Sequence, residues 1–418
     1  MGPDAVAIFI GARVAIRSND TEYPFRQDSD FWYLTGFDHP DAVAILRTDD
    51  GPPFTLFVQP RDRAAETWTG YRPGLEGARD DYAADAAHAI DDLLKELPRI
   101  VEGARRIYHV LGRHSELDRR LVELLDELRR RSRMGVTPAD EIVDPRSIVH
   151  EMRLLKEKDE VDLLRRAASI TREGHLEAAR LAHEGHFEYE LEAALDYGYR
   201  RRGAAGPAYA SIVGGGANAS ILHYVRNDQP LRDGELVLID SGAEVEGYAA
   251  DVTRTYPVGG RFSAARRDVY DAVLAAQQAA LEASRPGATL DEIHDVTLRC
   301  LVEGMLGLGL LSGGVDENLE KGHYRSYYMH RTSHWLGLDV HDVGSYASGP
   351  SPRPLEAGMV FTVEPGLYIA ADAEAAPEAI RGMGVRIEDD VLVTETGIEN
   401  LSAAIPKDPD AIEAVVRG

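Results

Sequence analysis

Residues 235–256 read ELVLIDSGAEVEGYAADVTRTY, and this stretch decides how the second half of the chain is read. Leu236, Val237, Leu238 and Ile239 form an apolar, partly β-branched run. Residues 248–256 alternate loosely and end in Thr253-Arg254-Thr255-Tyr256. Glu244, Val245, Glu246 and Gly247 supply turn chemistry between the two runs, so the unit predicts a β-hairpin. A turn centred between Val245 and Glu246 sets Asp240 opposite Asp251. Both carboxylates then share one face, with Cβ atoms roughly 4.5–5.5 Å apart. A one-residue bulge alters that register. Two like charges so placed are unfavourable unless positive charge lies between them. Aspartate is also an ordinary turn residue, so the pair alone leaves both readings open.

The whole chain limits the choices. At 418 residues it is too long for one compact core, and two domains are expected. Hydrophobic residues make up 44% and charged residues 28%, the balance of an ordinary globular protein. A net charge of −25 argues against nucleic acid and against an anionic membrane, both of which need a basic footprint. Cys300 is the single cysteine, so no internal disulfide is possible, and a reducing cytoplasm suits the chain. The apolar run at 5–10 is too short for a signal peptide or a membrane span and reads as a first strand.

Residues 1–130 alternate strand-like stretches (6–10, 31–34, 42–46, 54–58, 107–111) with amphipathic helical ones (80–97, 115–131). That pattern suggests an α/β layer with a mixed sheet. His39, His88, His109 and His114 show no ligand spacing and read as surface or core histidines. Gly135, Pro138 and Pro145 break the pattern, which places a domain boundary at 145/146, giving domains 1–145 and 146–418. Helical periodicity follows over 156–182 and 188–201. Two more helices are expected at 263–284 and 289–308, the second with Thr289 as N-cap and Glu292 three residues on. The tail from 359 to 396 is strand-rich again, so the second domain is α+β.

Four further stretches carry chemistry. They are Ile221-Leu222-His223-Tyr224, residues 330–342 with His330, His334 and His341, Thr362-Val363-Glu364-Pro365-Gly366-Leu367-Tyr368, and Val385-Arg386-Ile387-Glu388-Asp389-Asp390. Each has an ordinary reading alone, as a loop histidine, a turn or a surface pair. Jointly they supply oxygen ligands and an imidazole suited to divalent metals. Four carboxylates in one volume repel one another, and two divalent ions would neutralise them. Two such ions roughly 3.5–4 Å apart can share and activate a water. Arg386 lies two residues before Glu388, hence on the same face of a strand, where it can hold a carboxylate.

The set Asp240, Asp251, His334, Glu364 and Glu388 resembles, residue by residue, the five-ligand dimetal site of the pita-bread metallopeptidases. The stretches 27–37, 149–153, 333–343 and 382–390 are similar to the Xaa-Pro aminopeptidase (aminopeptidase P) group of that family, across essentially the whole chain. The resemblance implies a creatinase-like α/β N-terminal domain and an α+β pita-bread catalytic domain. It implies an exopeptidase that releases the N-terminal residue from peptides with proline second, by attack of a dimetal-bridged hydroxide. The cofactors would be two divalent ions, Mn²⁺ ahead of Co²⁺ or Zn²⁺. Asp240 would bind one ion, Asp251 and Glu388 would bridge the pair, and His334 and Glu364 would complete the other. Glu364 would handle protons, while His223 and His341 would donate to the substrate carbonyl or the tetrahedral intermediate. His330, Arg386 and Tyr368 would contact substrate, as would Trp68 and Arg133, the last from a neighbouring subunit of a dimer or tetramer. A related enzyme, Xaa-Pro dipeptidase (prolidase), is the alternative. A metal-free binding module on the same fold would have lost ligands, and all five are present. One departure stands out: a small residue, often glycine, is expected after His330, and this chain has Arg331 and then Thr332.

Overall fold

Along strand Ala5–Ile10 the side chains alternate between two cores. Val6 and Ile8 pack with Val43, Ile45, Leu97, Leu121 and Leu128. Ala5, Ala7 and Phe9 pack on the other side with Phe31, Phe37, Ala42 and Ala44. A strand buried on both faces must sit inside a covered sheet, and this one does. The order across the sheet is Ala86–Ala89, Phe54–Val58, Val43–Arg47, Ala5–Ile10, Arg106–Tyr108, Glu141–Val143. Ala5–Ile10 runs antiparallel to Val43–Arg47 and parallel to Arg106–Tyr108, so the sheet is mixed.

The computed structural model describes residues 1–418, which divide into two compact units, Met1–Glu151 and Met152–Gly418. The division falls within helix Arg146–Leu154, shortly after the expected break. No helix is long and apolar enough to cross a membrane.

Two local expectations fail in the first unit. Residues 31–34 lie in helix Ser29–Thr35, not in a strand. The Asp28 side chain accepts from the Phe31 N–H, and Gly36 closes the helix in the left-handed region at φ 61°. A short, wholly apolar run has no periodicity to separate helix from strand, so its caps decide. The helix expected at 80–97 is instead strand Ala86–Ala89 followed by helix Leu93–Val101. Ala86–Ala89 is recruited as a parallel edge beside Phe54–Val58, and that pairing overrides its weak strand propensity.

The second unit is α+β. Helices Lys158–Ala179, Glu188–Arg200, Ala264–Ala283 and Leu290–Gly307 surround short antiparallel sheets. Thr289 and Glu292 form the expected capping box. Every residue of strand Leu236–Asp240 is buried, and it sits between Ile212–Gly215 and Thr253–Pro257. A second sheet joins Val360–Val363, Asp389–Val393 and Ile398–Asn400, and a ribbon pairs Gly366–Ile369 with Met383–Arg386.

The hairpin forms with its turn one residue later than expected. Val245 faces Tyr248, and Glu246 (φ 51°) and Gly247 (φ 84°) make the turn. Positive φ at both central residues matches the right-handed twist of the strands. Asp240 therefore faces Thr253 and not Asp251. Moving the turn by one whole residue shifts each facing partner by two, and side chains repeat with period two, so Asp251 keeps to the face of Asp240 as its diagonal neighbour. Opposite Asp251 the chain has Gly242, where a Cβ would lie 1.7 Å from the Ala250 carbonyl oxygen. Only glycine lets the two backbones approach this closely.

Candidate metal centre

Asp240 and Asp251 converge on one hydroxyl: Tyr209 Oη lies 2.5 Å from an oxygen of each. That hydroxyl has one proton to donate, so it serves one carboxylate and leaves the other in need of positive charge. Asp240 also accepts from Arg386 Nη2, and Arg386 Nε donates to Thr253 Oγ1 at 3.0 Å. Thr253 in turn donates to Glu388 Oε2 at 2.6 Å. The residue that faces Asp240 across the ladder thus fixes the orientation of Glu388.

Arg386 closes strand Met383–Arg386, whereas Glu388 lies in the break before strand Asp389–Val393. The single continuous strand expected for them is therefore two strands with different partners, Gly366–Ile369 and Val360–Val363. The break lets Glu388 reach Thr253 while Arg386 holds Asp240, so the expected clamp forms by another route.

The histidines come from irregular chain. His334 Nδ1 lies 3.0 Å from the Trp335 carbonyl oxygen, which can only accept, so Nδ1 carries the proton. Nε2 is left facing Asp251 at 3.4 Å and Glu364 at 3.6 Å, with its lone pair available to a metal. His330 is arranged likewise: Nδ1 donates to the Arg331 carbonyl at 2.8 Å, and Nε2 meets the Tyr368 hydroxyl at 2.8 Å. Tyr368 accepts from Arg386 Nη1 at 3.1 Å and so donates to His330. His341 stands edge-on to His334, with ring centroids 4.4 Å apart.

Asp251, His334 and Glu388 place one ligating atom each within 4.8 Å of one another. Asp240 and Glu364 line the same cavity of about 700 Å³, with His223, His330, His341 and Arg386. Tyr368 reaches that group through His330 and Arg386. Trp68 and Arg133 are not in this cluster: both are exposed positions of the first unit, Trp68 at 88%. Tyr209, Thr253 and Asp390, which accepts from the Asp251 N–H, are further members that sequence reasoning missed. Thr253 had a signal, its place two residues after Asp251 on the same face, whereas Tyr209 had none.

The electrostatics fit a divalent cation. Burial raises Glu364 from its ordinary value to about 7, against the pull of His334 and Arg386. Burial and then the charge of Asp251 push Glu388 well above the carboxylate range. Burial also raises Asp240, with Arg386 opposing and Asp251 adding. For Asp251 burial is outweighed by the hydrogen bond and charge of His334, which hold it low. His334 responds in kind: burial would lower it, but Asp251 and Glu364 raise it to about 9. Four acidic groups share one cationic arginine already engaged with Asp240, and a hard or borderline divalent ion supplies the missing charge.

The comparisons with known proteins agree with this geometry. A model of metallopeptidase family M24 matches residues 162–395. The chain belongs to that family. A model of the aminopeptidase P N-terminal domain matches residues 1–108. The Xaa-Pro aminopeptidase of Escherichia coli (strain K12) is 46% identical over 418 residues, covering 100% of this chain and 94% of that protein. Mouse Xaa-Pro aminopeptidase 3 is 35% identical, covering 99% of this chain and 81% of that protein. Among solved structures, an aminopeptidase of Pseudomonas aeruginosa superposes with TM-score 0.97 at 45% identity, covering 100% of this chain and 95% of that one. Zinc-substituted Escherichia coli aminopeptidase P in complex with product superposes with TM-score 0.95 at 45% identity, covering 100% and 95%. The fold is thus an aminopeptidase P type N-terminal domain followed by a pita-bread metallopeptidase domain.

Metal uptake should release protons. Ligands bind deprotonated, yet before a cation arrives Glu364 sits at about 7 and His334 at about 9. Below pH 7 both hold protons that a metal must displace, so apparent affinity rises as pH increases towards 9. Calorimetric titration with Mn²⁺ at pH 6.5, in buffers of different ionisation enthalpy, should show release of about two protons per chain from Glu364 and His334, with Glu388 adding to that number. Binding with no buffer dependence would contradict the assignment of these two groups as ligands.

Proposed function

We propose that the chain is an Xaa-Pro aminopeptidase, which removes the N-terminal residue of a peptide whose second residue is proline. The observation that carries this reading is the convergence of five ligand side chains in a cavity large enough for a peptide end. The relatives named above are Xaa-Pro aminopeptidases, which favours this activity over that of a dipeptidase. Asp240 would hold one divalent ion, Asp251 and Glu388 would bridge two, and His334 and Glu364 would complete the second. Mn²⁺ is the proposed metal pair, from the resemblance. Such ions, when bound, supply Lewis-acid activation of water and of the scissile carbonyl.

The chain's own residues do the rest. Glu364, within 3.7 Å of His330 Nδ1, takes a proton from the attacking water and delivers it to the leaving proline nitrogen. His341 and His223 donate hydrogen bonds to the carbonyl oxygen as negative charge builds there. Burial, and the neighbouring charge of His334, lower His341 from its ordinary value. Arg386 and Tyr368 keep Asp240 and His330 in place. An Xaa-Pro bond has no N–H on the leaving nitrogen, so recognition must use ring shape and the carbonyl. Arg133 would contribute to the cleft of another copy in a dimer or tetramer. One cysteine and no acidic-lipid footprint support a cytoplasmic setting.

With Mn²⁺ present, the protein should cleave Arg-Pro-Pro after arginine and cleave Gly-Pro poorly. The reverse preference would make it a prolidase. Asp251→Ala should abolish turnover and lower bound metal by elemental analysis, and full activity in that variant would mean the ligand set is wrong.

His341→Ala should keep metal content near wild type while kcat falls roughly 10²–10³-fold, the loss typical of one oxyanion donor. Loss of metal from this variant would make His341 a ligand instead.

Arg133→Ala should raise KM for tripeptides more than for long peptides, with the oligomer intact by light scattering. Unchanged kinetics at both lengths would leave Arg133 a solvated surface residue.

A further inference from the structure

Three arginines line the cavity: Arg331, Arg353 and Arg386. Arg386 is buried and committed to Asp240, Thr253 and Tyr368. Arg353 has a side chain 14% exposed and faces Glu356 at 3.4 Å. Arg331 differs from both. Its side chain is 58% exposed, and it pairs with Asp291, itself 54% exposed, in the first turn of helix Leu290–Gly307. Asp291 lines the cavity too.

The backbone that carries Arg331 is well anchored. Its carbonyl accepts from His330 Nδ1 at 2.8 Å. The next residue, Thr332, is buried, with its hydroxyl 2.9 Å from both Tyr328 Oη and His294 Nδ1. Asp291 and His294 stand three apart on one helix, and thus on one face. They meet Arg331 and Thr332 respectively, so the unexpected pair of residues after His330 has a matched pair opposite. What this leaves exposed is the guanidinium, at the mouth of the cavity.

We propose that Arg331 is a specificity-determining residue that binds a substrate carboxylate beyond the proline. The proposal rests on the aminopeptidase reading, which puts the peptide's N-terminal end among the ligands and sends its remainder outward. Such a peptide carries its next negative charge past the proline, as its C-terminal carboxylate or as an acidic side chain. A net charge of −25 disfavours an anionic peptide, and a cation at the mouth offsets that repulsion. The Arg331–Asp291 pair is solvent-exposed, and such pairs contribute little. A substrate carboxylate can therefore replace Asp291 at small cost and accept two parallel N–H bonds from the guanidinium. A small residue at this position would have no group to make that contact.

The test compares two peptide pairs on the Mn²⁺-loaded full chain: Ala-Pro-Ala with its C-terminal amide, and Ala-Pro-Asp-amide with Ala-Pro-Asn-amide. Wild type should show KM about tenfold lower for the anionic member of a pair, equivalent to about 1.4 kcal/mol. The first pair reports a C-terminal carboxylate and the second a side-chain carboxylate. Arg331→Ala should lower the responding ratio through KM, Arg331→Lys should restore part of it, and Asp291→Asn should widen it. A ratio unmoved by Arg331→Ala in both pairs, a wild type indifferent to charge, or an equal loss in kcat for all peptides would overturn the proposal. Cleavage of none of the four peptides by wild type would overturn the aminopeptidase reading itself, and this proposal with it.

Discussion

Four carboxylates cannot share a buried cavity without positive charge between them, and the second unit is built around that constraint. Asp240 and Asp251 lie on one face of a hairpin, Glu364 follows strand Val360–Val363, and Glu388 sits in a break between two strands. The protein supplies only part of the compensation, through Arg386, Tyr209, Thr253 and His334. Burial pushes Glu388 well above the carboxylate range and raises Asp240 against the pull of Arg386. Filling the site with hydrophobic groups would relieve the strain on folding. The chain keeps the acids instead, which makes sense when divalent ions complete the charge.

The acidic run Glu388-Asp389-Asp390 shows how three consecutive carboxylates escape mutual repulsion. Successive side chains in a strand point to opposite faces. Glu388 turns into the cavity towards Thr253. Asp389 turns away and is held by Arg254, Lys407 and Gln277, so the two cations keep it well below the carboxylate range despite burial. Asp390 returns to the first side and accepts from the backbone N–H of Asp251. One carboxylate faces the candidate metal site, one ties the sheet to helix Ala264–Ala283 through Gln277, and one fixes the backbone of a candidate ligand. Arg254 is fully buried and spans Thr253 O, Ile405 O and Asp389, so the hairpin's second strand carries structural charge on one face and Thr253 on the other.

Much of this was legible in the sequence because its signals are local. The capping box at Thr289, the helices at 158–179 and 188–200 and the mixed sheet of the first unit follow from caps and periodicity. The five candidate ligands were legible as residue types in order. Where the reading failed, caps and turn residues that periodicity does not weigh decided, or contacts distant in sequence did. Residues 31–34 are apolar throughout, so Asp28 and Gly36 settled the helix. The strand Ala86–Ala89 exists only because Phe54–Val58 is beside it. The turn of the hairpin moved because Gly247, not Val245, tolerates positive φ without cost. Tyr209 was invisible because its partners lie 31 and 42 residues away and its flanking residues carry no motif.

Residues 327–346 pose the sharpest version of the problem, since this stretch carries three histidines and no helix or strand. Precision there comes from anchors that alternate with the histidines. His330 is followed by Thr332, which is buried and bonded to His294 and Tyr328. Thr332 also offers its carbonyl to the Glu364 N–H at 2.8 Å, tying the histidine segment to a ligand. His334 exchanges bonds with Thr362, accepting at its carbonyl and donating from its N–H. Trp335 is wholly buried and bridges to Phe361. His341 is followed by Asp342, whose buried carboxylate meets Lys156 Nζ at 2.9 Å and Arg153 at 2.5 Å. Each histidine is thus within two residues of a buried contact, and backbone freedom between anchors is too short to move a ring far. An irregular segment pinned at this spacing can hold imidazoles as closely as a strand would, and it can turn them all towards one cavity, which the alternation of a strand forbids.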